Sequence, residues 1–309
     1  MYFLPSVPAL QNLSVYDILA EIKQEEKALE TKTVQHKKII VALSIVLVVL
    51  LLVAIILPVP VQDDPEQTTA PVTTVPETTA EPTLPQPEAG IYGPTDFQFD
   101  GDYLTCLAGK SILGIDVSEH QREIDWPQVK AAGIEFVIIR VGYRGYETGN
   151  LNPDKYAKAN YQGAIDAGLD VGVYFFSQAT SVEEAIAEAR FVLDFTTDWD
   201  LKYPVVFDWE YISSTARTAN VDRQTLTDCS IAFCEEVKNA GRTPMVYFNW
   251  RQGDNRLFLY QLEDYPFWLA LYSYRMTYPY KVEMWQYTNE GKVPGIAGDV
   301  DINLWFDYE

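Results

Sequence analysis

Asp208 and Glu210 are separated by one tryptophan and follow directly on the apolar run Pro204-Val205-Val206-Phe207. In an extended strand, residues i and i+2 point to the same side, ~6.5 Å apart along the chain, so this spacing puts two carboxyls on one face. Such a pair suits acid chemistry on a glycosidic bond. A carboxyl held among like charges and aromatic rings has its pKa raised and can protonate the leaving oxygen, while another stays ionised and stabilises positive charge on the sugar. A D-x-E pair arises easily in a chain with 44 acidic residues. What singles this one out is its place after a buried apolar strand, where acids are costly unless paired or functional. Asp116 lies towards the end of another apolar run, and Trp285, Gln286 and Tyr287 end a third.

Other chemistries have little to build on. The 309 residues include two His, His36 and His120, and three Cys, Cys106, Cys229 and Cys234. That is too little clustering for a zinc site of the usual spacing, and no metal or cofactor is called for. A Ser/His/Asp or Cys/His triad would rest on His120 alone, and a lone loop His is ordinarily a surface residue. Cys229 and Cys234, five apart on one expected helix, do not face each other; Cys106 could pair with either, leaving one thiol over. With 44 acidic against 23 basic side chains and a formal charge of −21, the chain is no nucleic-acid binder, since phosphate contacts need clustered Lys and Arg.

The acids need strands to hold them, and eight apolar or aromatic runs supply these: Ile112 to Val117, Phe136 to Val141, Val171 to Phe176, Pro204 to Trp209, Pro244 to Phe248, Phe267 to Tyr272, Val282 to Tyr287 and Asp301 to Phe306. Several are nearly continuous Val, Ile, Phe and Tyr, the pattern of strands buried on both faces. Helices are expected at Trp126 to Ala132, Tyr156 to Ala167, Val182 to Thr196 with a Ser181/Glu184 capping box, and Asp222 to Ala240. Three of these end in Ala-Gly, at Gly133, Gly168 and Gly241, as a glycine C-cap requires. Between the fifth and sixth strands only a short helix around Leu257 to Leu262 is expected, and the last two connections lack a helical pattern. The fold class is therefore α/β, an irregular (β/α) barrel over residues 110–309 with fewer helices in its C-terminal part, and its working residues at the C-terminal ends of strands. Residues 96–109 read as a lead-in hairpin, since Asp100-Gly101 suits a type I′ turn.

The rest of the chain reads as a means of placement. Residues 39–57 are 19 consecutive uncharged, almost wholly aliphatic residues, long enough at ~1.5 Å per residue to cross a hydrocarbon core of ~30 Å. Lys37 and Lys38 abut this segment on one side, and no Lys or Arg follows it until Lys110. By the positive-inside rule, residues 1–38 are cytoplasmic and everything after 57 is extracellular. His36 then lies across the membrane from the acids. Residues 58–95 form a Pro/Thr/Glu-rich extracellular linker too polar to fold, expected to act as an extended spacer. A helix is expected at 14–33, either a plain lead into the anchor or a docking site for a cytoplasmic partner.

Taken together, several motifs resemble one family. They are Gly114-Ile115-Asp116-Val117-Ser118 with Gln121 and Ile124-Asp125-Trp126; Phe136 to Tyr143; Val173-Tyr174-Phe175-Phe176; Phe207-Asp208-Trp209-Glu210; Met284-Trp285-Gln286-Tyr287-Thr288; and Asp299-Val300-Asp301-Ile302-Asn303. Their order and spacing are similar to glycoside hydrolase family 25, the Chalaropsis-type lysozymes, over about residues 110 to 309. The resemblance implies an N-acetylmuramidase that cuts the β-1,4 bond between N-acetylmuramic acid and N-acetylglucosamine in peptidoglycan. It implies Glu210 as general acid, Asp208 as the carboxylate that orients or stabilises the intermediate, and Asp116 and Asp301 as further acids of the same cleft. A substrate-assisted route through the acetamido group, a covalent aspartyl route and inversion all remain open. Many relatives have His where Phe175 stands, a departure that could alter sugar contacts.

Tyr143, Tyr174, Tyr247 and Trp285 are candidates for sugar-stacking walls, with core packing as the equal alternative. Gln286 is a further candidate for substrate binding, and Arg140 is expected to pair with one of the acids and hold it charged. Two functions stand against each other: a membrane-tethered peptidoglycan hydrolase, and a non-catalytic wall-binding receptor. The retained acids favour the first, because a pure binder needs no general acid.

Overall fold

All eight apolar runs form strands. The computed structural model describes residues 85–308, which contain β1 (Phe97–Asp100), β2 (Tyr103–Cys106), β3 (Lys110–Val117), α1 (Trp126–Ala131), β4 (Phe136–Arg144), β5 (Leu151–Pro153), α2 (Ala157–Asp166) and β6 (Asp170–Ser177). They continue with α3 (Val182–Phe195), β7 (Val205–Trp209), α4 (Arg223–Asn239), β8 (Pro244–Asn249), α5 (Trp250–Arg256), β9 (Phe267–Ala270), β10 (Met284–Gly291) and β11 (Val300–Asp307). The expected segments at 14–33 and 39–57 and most of the linker lie outside the described residues. Among those described, no helix is long and apolar enough to cross a membrane.

The strands close into a barrel in the order β3-β4-β6-β7-β8-β9-β10-β11 and back to β3, with β5 added outside β4. Neighbours from β3 round to β10 are parallel. β11 is antiparallel to both of its neighbours. This reversal matters for the acids. Asp301, near the start of β11, pairs in register with Asp116, near the end of β3. An all-parallel barrel would have put Asp301 at the opposite rim.

Alternation along the strands creates two cores. Phe136, Ile138, Val206, Met245, Trp268 and Met284 fill the barrel interior beneath the acids. The residues between them, such as Val137, Val173, Phe207 and Val246, face outward and pack with the helices, against Val192 of α3 and Phe233 of α4 among others. Phe207 and Phe233 rings lie 5.1 Å apart. Truncating a ring so placed costs about 3–5 kcal/mol, so β7 is held rigidly from outside while its inward residues face the cleft.

Local signals mostly hold. Ser181, Asp222 and Asn249 cap α3, α4 and α5 through their side chains, and Gly133, Gly168 and Gly241 take positive φ after their helices. Four details differ. Glu184 closes its cap onto the Thr180 N–H at 2.8 Å rather than onto Ser181. The hairpin turns on Gly101 and Asp102, with Gly101 at φ +64° and Asp102 not in the left-handed region; glycine first is the II′ arrangement, not I′. The connection after β8 is helical earlier than expected, as α5, because Asn249 caps it, and only a 3-10 turn follows at Leu259–Gln261. The stretch expected as spacer up to residue 95 is bound to the barrel from Gln86 onward: Ala89 pairs with Tyr280, Lys281 N donates to Glu88 O at 2.8 Å and Gly90 N to Pro279 O at 2.9 Å. Gly90 permits this approach, since a Cβ there would stand 2.9 Å from Tyr280 O. All three cysteines are buried free thiols.

Candidate active site

A cleft of about 520 Å³ opens where β3, β6, β7 and β8 end and β11 begins. Asp116, Asp208, Glu210 and Asp301 all line it, with Tyr143, Tyr174, Tyr247, Trp268, Tyr272, Arg140 and Gln286. Asp208 is an inward residue of β7 beside Tyr247 of β8, and Glu210 is the first residue past the end of β7. The i/i+2 spacing therefore does what the sequence suggests.

No direct ion pair holds the quartet. Among the described residues no Lys, Arg or His forms an ion pair with any of the four. Burial raises Glu210 to about 7, with Asp301 adding to it, and burial raises Asp301 to about 6. Asp208 and Asp116 are pushed well above the ordinary range, by burial first and then by the other acids. Four carboxyls so close cannot all ionise, so the mouth holds protons at neutral pH. Opposing terms act on two members. Arg140 lowers Asp208, and Asn303 and Gln286 hydrogen bonds lower Asp116.

Asp116 is held by two amides on one oxygen. Gln286 Nε2 donates to its Oδ2 at 2.8 Å and Asn303 Nδ2 at 2.9 Å. Each amide is itself oriented: Trp268 Nε1 donates to Asn303 Oδ1 at 2.8 Å, and the Tyr272 and Tyr247 hydroxyls donate to Gln286 Oε1 at 3.1 and 3.4 Å. Asp208 differs in kind. Its Oδ1 is buried and has no hydrogen-bond partner within the protein, an acceptor kept for whatever enters the cleft.

The structure gathers nine of the ten expected site residues, Trp285 being the exception. Trp285 is wholly buried on the outer side of β10, edge-on to Phe97 at 4.9 Å, with Nε1 donating to Leu271 O at 2.9 Å. Gln286 faces in, so its neighbours Trp285 and Tyr287 must face out. Trp268 of β9 takes the expected place in the wall. Phe175 likewise points outward, edge-on to Phe191 at 5.6 Å, so the departure at this position does not touch the cleft. Arg140 pairs with none of the four acids but with Asp154, at 2.8 Å through both Nε and Nη2. Gln286 binds Asp116, with both ends of its amide engaged. His120 lies exposed at the cleft rim. Asn303, Trp268 and Asp154 were not singled out by spacing. Asn303 had a signal, since it follows Asp301 by two residues just as Glu210 follows Asp208. Among the described residues no group of three or more His, Cys, Asp or Glu is arranged to hold a metal ion.

Residues 115–296 match the model of the glycosyl hydrolases family 25. The chain is 28% identical over 202 residues to lysozyme M1 of Streptomyces globisporus, covering 62% of this chain and 67% of that one. It is 25% identical over 191 residues to an autolytic lysozyme of Clostridium acetobutylicum, covering 62% and 54%. Among solved structures it is similar to the modular autolysin LytC from Streptococcus pneumoniae in complex with a synthetic peptidoglycan ligand. That match has a TM-score of 0.57 and 28% identity, covering 63% of this chain and 47% of that chain. The chain thus spans about half the length of the pneumococcal autolysin.

Proposed function

Because the chain belongs to the glycosyl hydrolases of family 25, we propose that it is a lysozyme, an N-acetylmuramidase of the Chalaropsis type, cutting the β-1,4 bond between N-acetylmuramic acid and N-acetylglucosamine in peptidoglycan. The observation that carries this reading is the acid quartet, free of ion pairs, at one barrel mouth. Relatives named lysozyme, and an autolysin solved with a peptidoglycan ligand, support it.

Glu210, raised to about 7, is protonated in mildly acid conditions and donates to the leaving glycosidic oxygen. As the bond breaks, positive charge develops at the sugar, and Asp208 offers its unpartnered Oδ1 to that charge or to the acetamido N–H beside it. Asp116, fixed by Gln286 and Asn303, and Asp301 opposite it border the same point. Tyr174, Tyr247 and Trp268 provide flat apolar walls for the sugar rings. A water then adds its oxygen to the anomeric carbon and gives its proton to the ionised Glu210, which restores the acid and completes the hydrolysis.

We further propose that residues 39–57 anchor the chain in the cell membrane with the barrel outside. A tethered enzyme acts only within linker reach, which favours the cell's own wall in turnover or remodelling. Reporter fusions before residue 39 and after residue 57 should report opposite sides of the membrane; fusions on one side would exclude the anchor.

The test of activity uses the full chain in mild detergent with purified peptidoglycan. Reducing ends should appear, and mass spectrometry of the released muropeptides should show N-acetylmuramic acid at the reducing end. A chain that binds peptidoglycan yet never cuts it would support the wall-binding receptor instead.

A further inference from the structure

We infer that Gln178 and Gln252 are positioning residues that hold Glu210 from either flank. This rests on the reading of Glu210 as general acid. The need for such residues is visible in the register. The ladder between β7 and β8 ends at Asp208 opposite Tyr247, and that between β6 and β7 ends at Trp209 opposite Ser177. Glu210 lies beyond both, so the strand pairing that fixes Asp208 does not reach the residue whose carboxyl must move a proton.

Two buried amides take over where the ladders stop. Gln178, directly after β6, donates from Nε2 to Glu210 O at 2.8 Å and to Ser177 O at 2.8 Å. Gln252, in α5 after β8, donates from Nε2 to Trp209 O. The successive carbonyls of Trp209 and Glu210 are therefore each caught by a side chain from a different neighbouring strand connection. Gln178 is in turn held at its side chain and at its backbone. Thr218 Oγ1 donates to its Oε1 at 2.9 Å, and Arg217 Nη1 donates to its backbone oxygen. Arg217 also pairs with Glu184 of α3, so the clamp is tied to a helix.

Gln252 carries a further sign. Its Oε1 is buried without a partner, so the side chain gives up one hydrogen bond in order to aim Nε2 at Trp209 O. Both amides are almost wholly removed from solvent, Gln178 at 0% and Gln252 at 5% exposure; neither can contact substrate, so their effect must pass through Glu210. The groups that face the Glu210 carboxyl are Asp208 of β7, Asp116 of β3, Asp301 of β11, Tyr247 of β8 and Tyr272 after β9. A small displacement of the backbone at 209–210 moves the acid relative to all five.

The experiment compares Gln178→Leu and Gln252→Met in the full chain with Ser230→Ala. Ser230 Oγ donates to Leu226 O at 2.9 Å within α4, so its loss is structural only. Rates on purified peptidoglycan give kcat and KM, and carbon-13 NMR of the glutamate carboxyls, with Glu210 assigned through Glu210→Gln, gives its titration midpoint. Both glutamine variants should lose about 10- to 100-fold in kcat with KM within about twofold of the parent. Their Glu210 midpoint should fall towards that of an ordinary glutamate. Ser230→Ala should keep kcat even if its Tm drops. Glutamine variants with parental kcat and an unmoved Glu210 midpoint would overturn the inference, as would an equal kcat loss in Ser230→Ala. If the unaltered chain cuts no peptidoglycan, the lysozyme reading fails, and the Glu210 midpoint alone decides whether the clamp exists.

Discussion

The four acids that line the cleft and the pair Glu184 and Glu188 of α3, which lie behind the cleft residue Arg144, are built in opposite ways. At the mouth, Asp116, Asp208, Glu210 and Asp301 share a face with no ion-paired cation. Behind Arg144, Arg217 Nη2 lies 2.5 Å from Glu184 Oε1, and Arg144 Nε lies 2.6 Å from Glu188 Oε1 with the Ser177 hydroxyl donating to Glu188 at 2.6 Å. Burial would raise Glu184, but Arg217, Thr180 and Arg144 outweigh it and bring it to about 2. Burial still lifts the deeper Glu188 to about 7 against the pull of Ser177 and Arg144. The difference teaches that burying a carboxyl does not by itself make chemistry. A paired acid is used up by its partner, whereas an unpaired one next to open volume keeps its proton and its acceptor for a substrate.

Removing the chemistry at the mouth should have the largest effect. Glu210→Gln should lower peptidoglycan cleavage by about 10² to 10⁴-fold, and its Tm at pH 8 should equal or exceed the parent's, since a costly buried acid is gone. A large Tm loss instead would mean that the mouth acids are structural like Glu184 and Glu188. Next in size, Arg144→Met leaves Glu188 buried without its partner and should cost about 3–5 kcal/mol in urea unfolding. A loss under about 1 kcal/mol would erase the contrast between the two regions.

Glu210 and Glu184 should answer pH with opposite sign, while Glu188, also raised to about 7, follows Glu210. Glu210 has a folded pKa above its unfolded one, so its contribution is a penalty, absent below about 4.5 and complete above about 7. Unfolding free energy should therefore rise by about 3 kcal/mol from this residue as pH falls from 8 to 5, and Glu210→Gln should flatten that rise. Glu184 has a folded pKa below its unfolded one, so it stabilises above about 4.5 and loses this as pH falls through about 2. Cleavage should decline as pH climbs through about 7, where Glu210 gives up the proton it must donate. The smallest effect tests the rim between Asp116 and α1. Arg122 holds φ 57° and ψ −128°, a region that suits glycine, so Arg122→Gly should add about 1 kcal/mol without changing kcat.

Much of the mouth was legible in the chain, whereas the ion pairs of Glu184 and Glu188 were not. The runs ending in Asp116 and Asp208-Trp209-Glu210 read correctly because alternation and long apolar stretches are local properties. The direction of β11 was not legible, since nothing local distinguishes a strand entering the sheet from one end or the other. Asp301 came to the cleft through resemblance and only the register explains why it belongs there. Trp285 was misread for a related reason: its face is set by Gln286, whose inward turn depends on Asp116 from a strand far away in sequence. Arg140 found Asp154 rather than a mouth acid, because β5 pairs back on β4 and brings Asp154 N to Val141 O beside it, a pairing that no spacing rule foresees. The helix at α5 was hidden by its glycine and its single polar cap, Asn249.

The reversed β11 has a consequence in time as well as in space. It is the last of the eight barrel strands in chain order, and its pairing with β3 joins segments that leave the ribosome far apart. Until β11 is made, β3 and β10 remain open edges, and Asp116 lacks both Asp301 and the Asn303 amide that orients it. Pairings so distant in sequence form late, because the loop between them must close first. A growing or truncated chain could assemble the other parallel strands, with Asp208 and Glu210 already in place, and still have an unfinished mouth. The strand that seals the barrel thus also delays the completion of its acids.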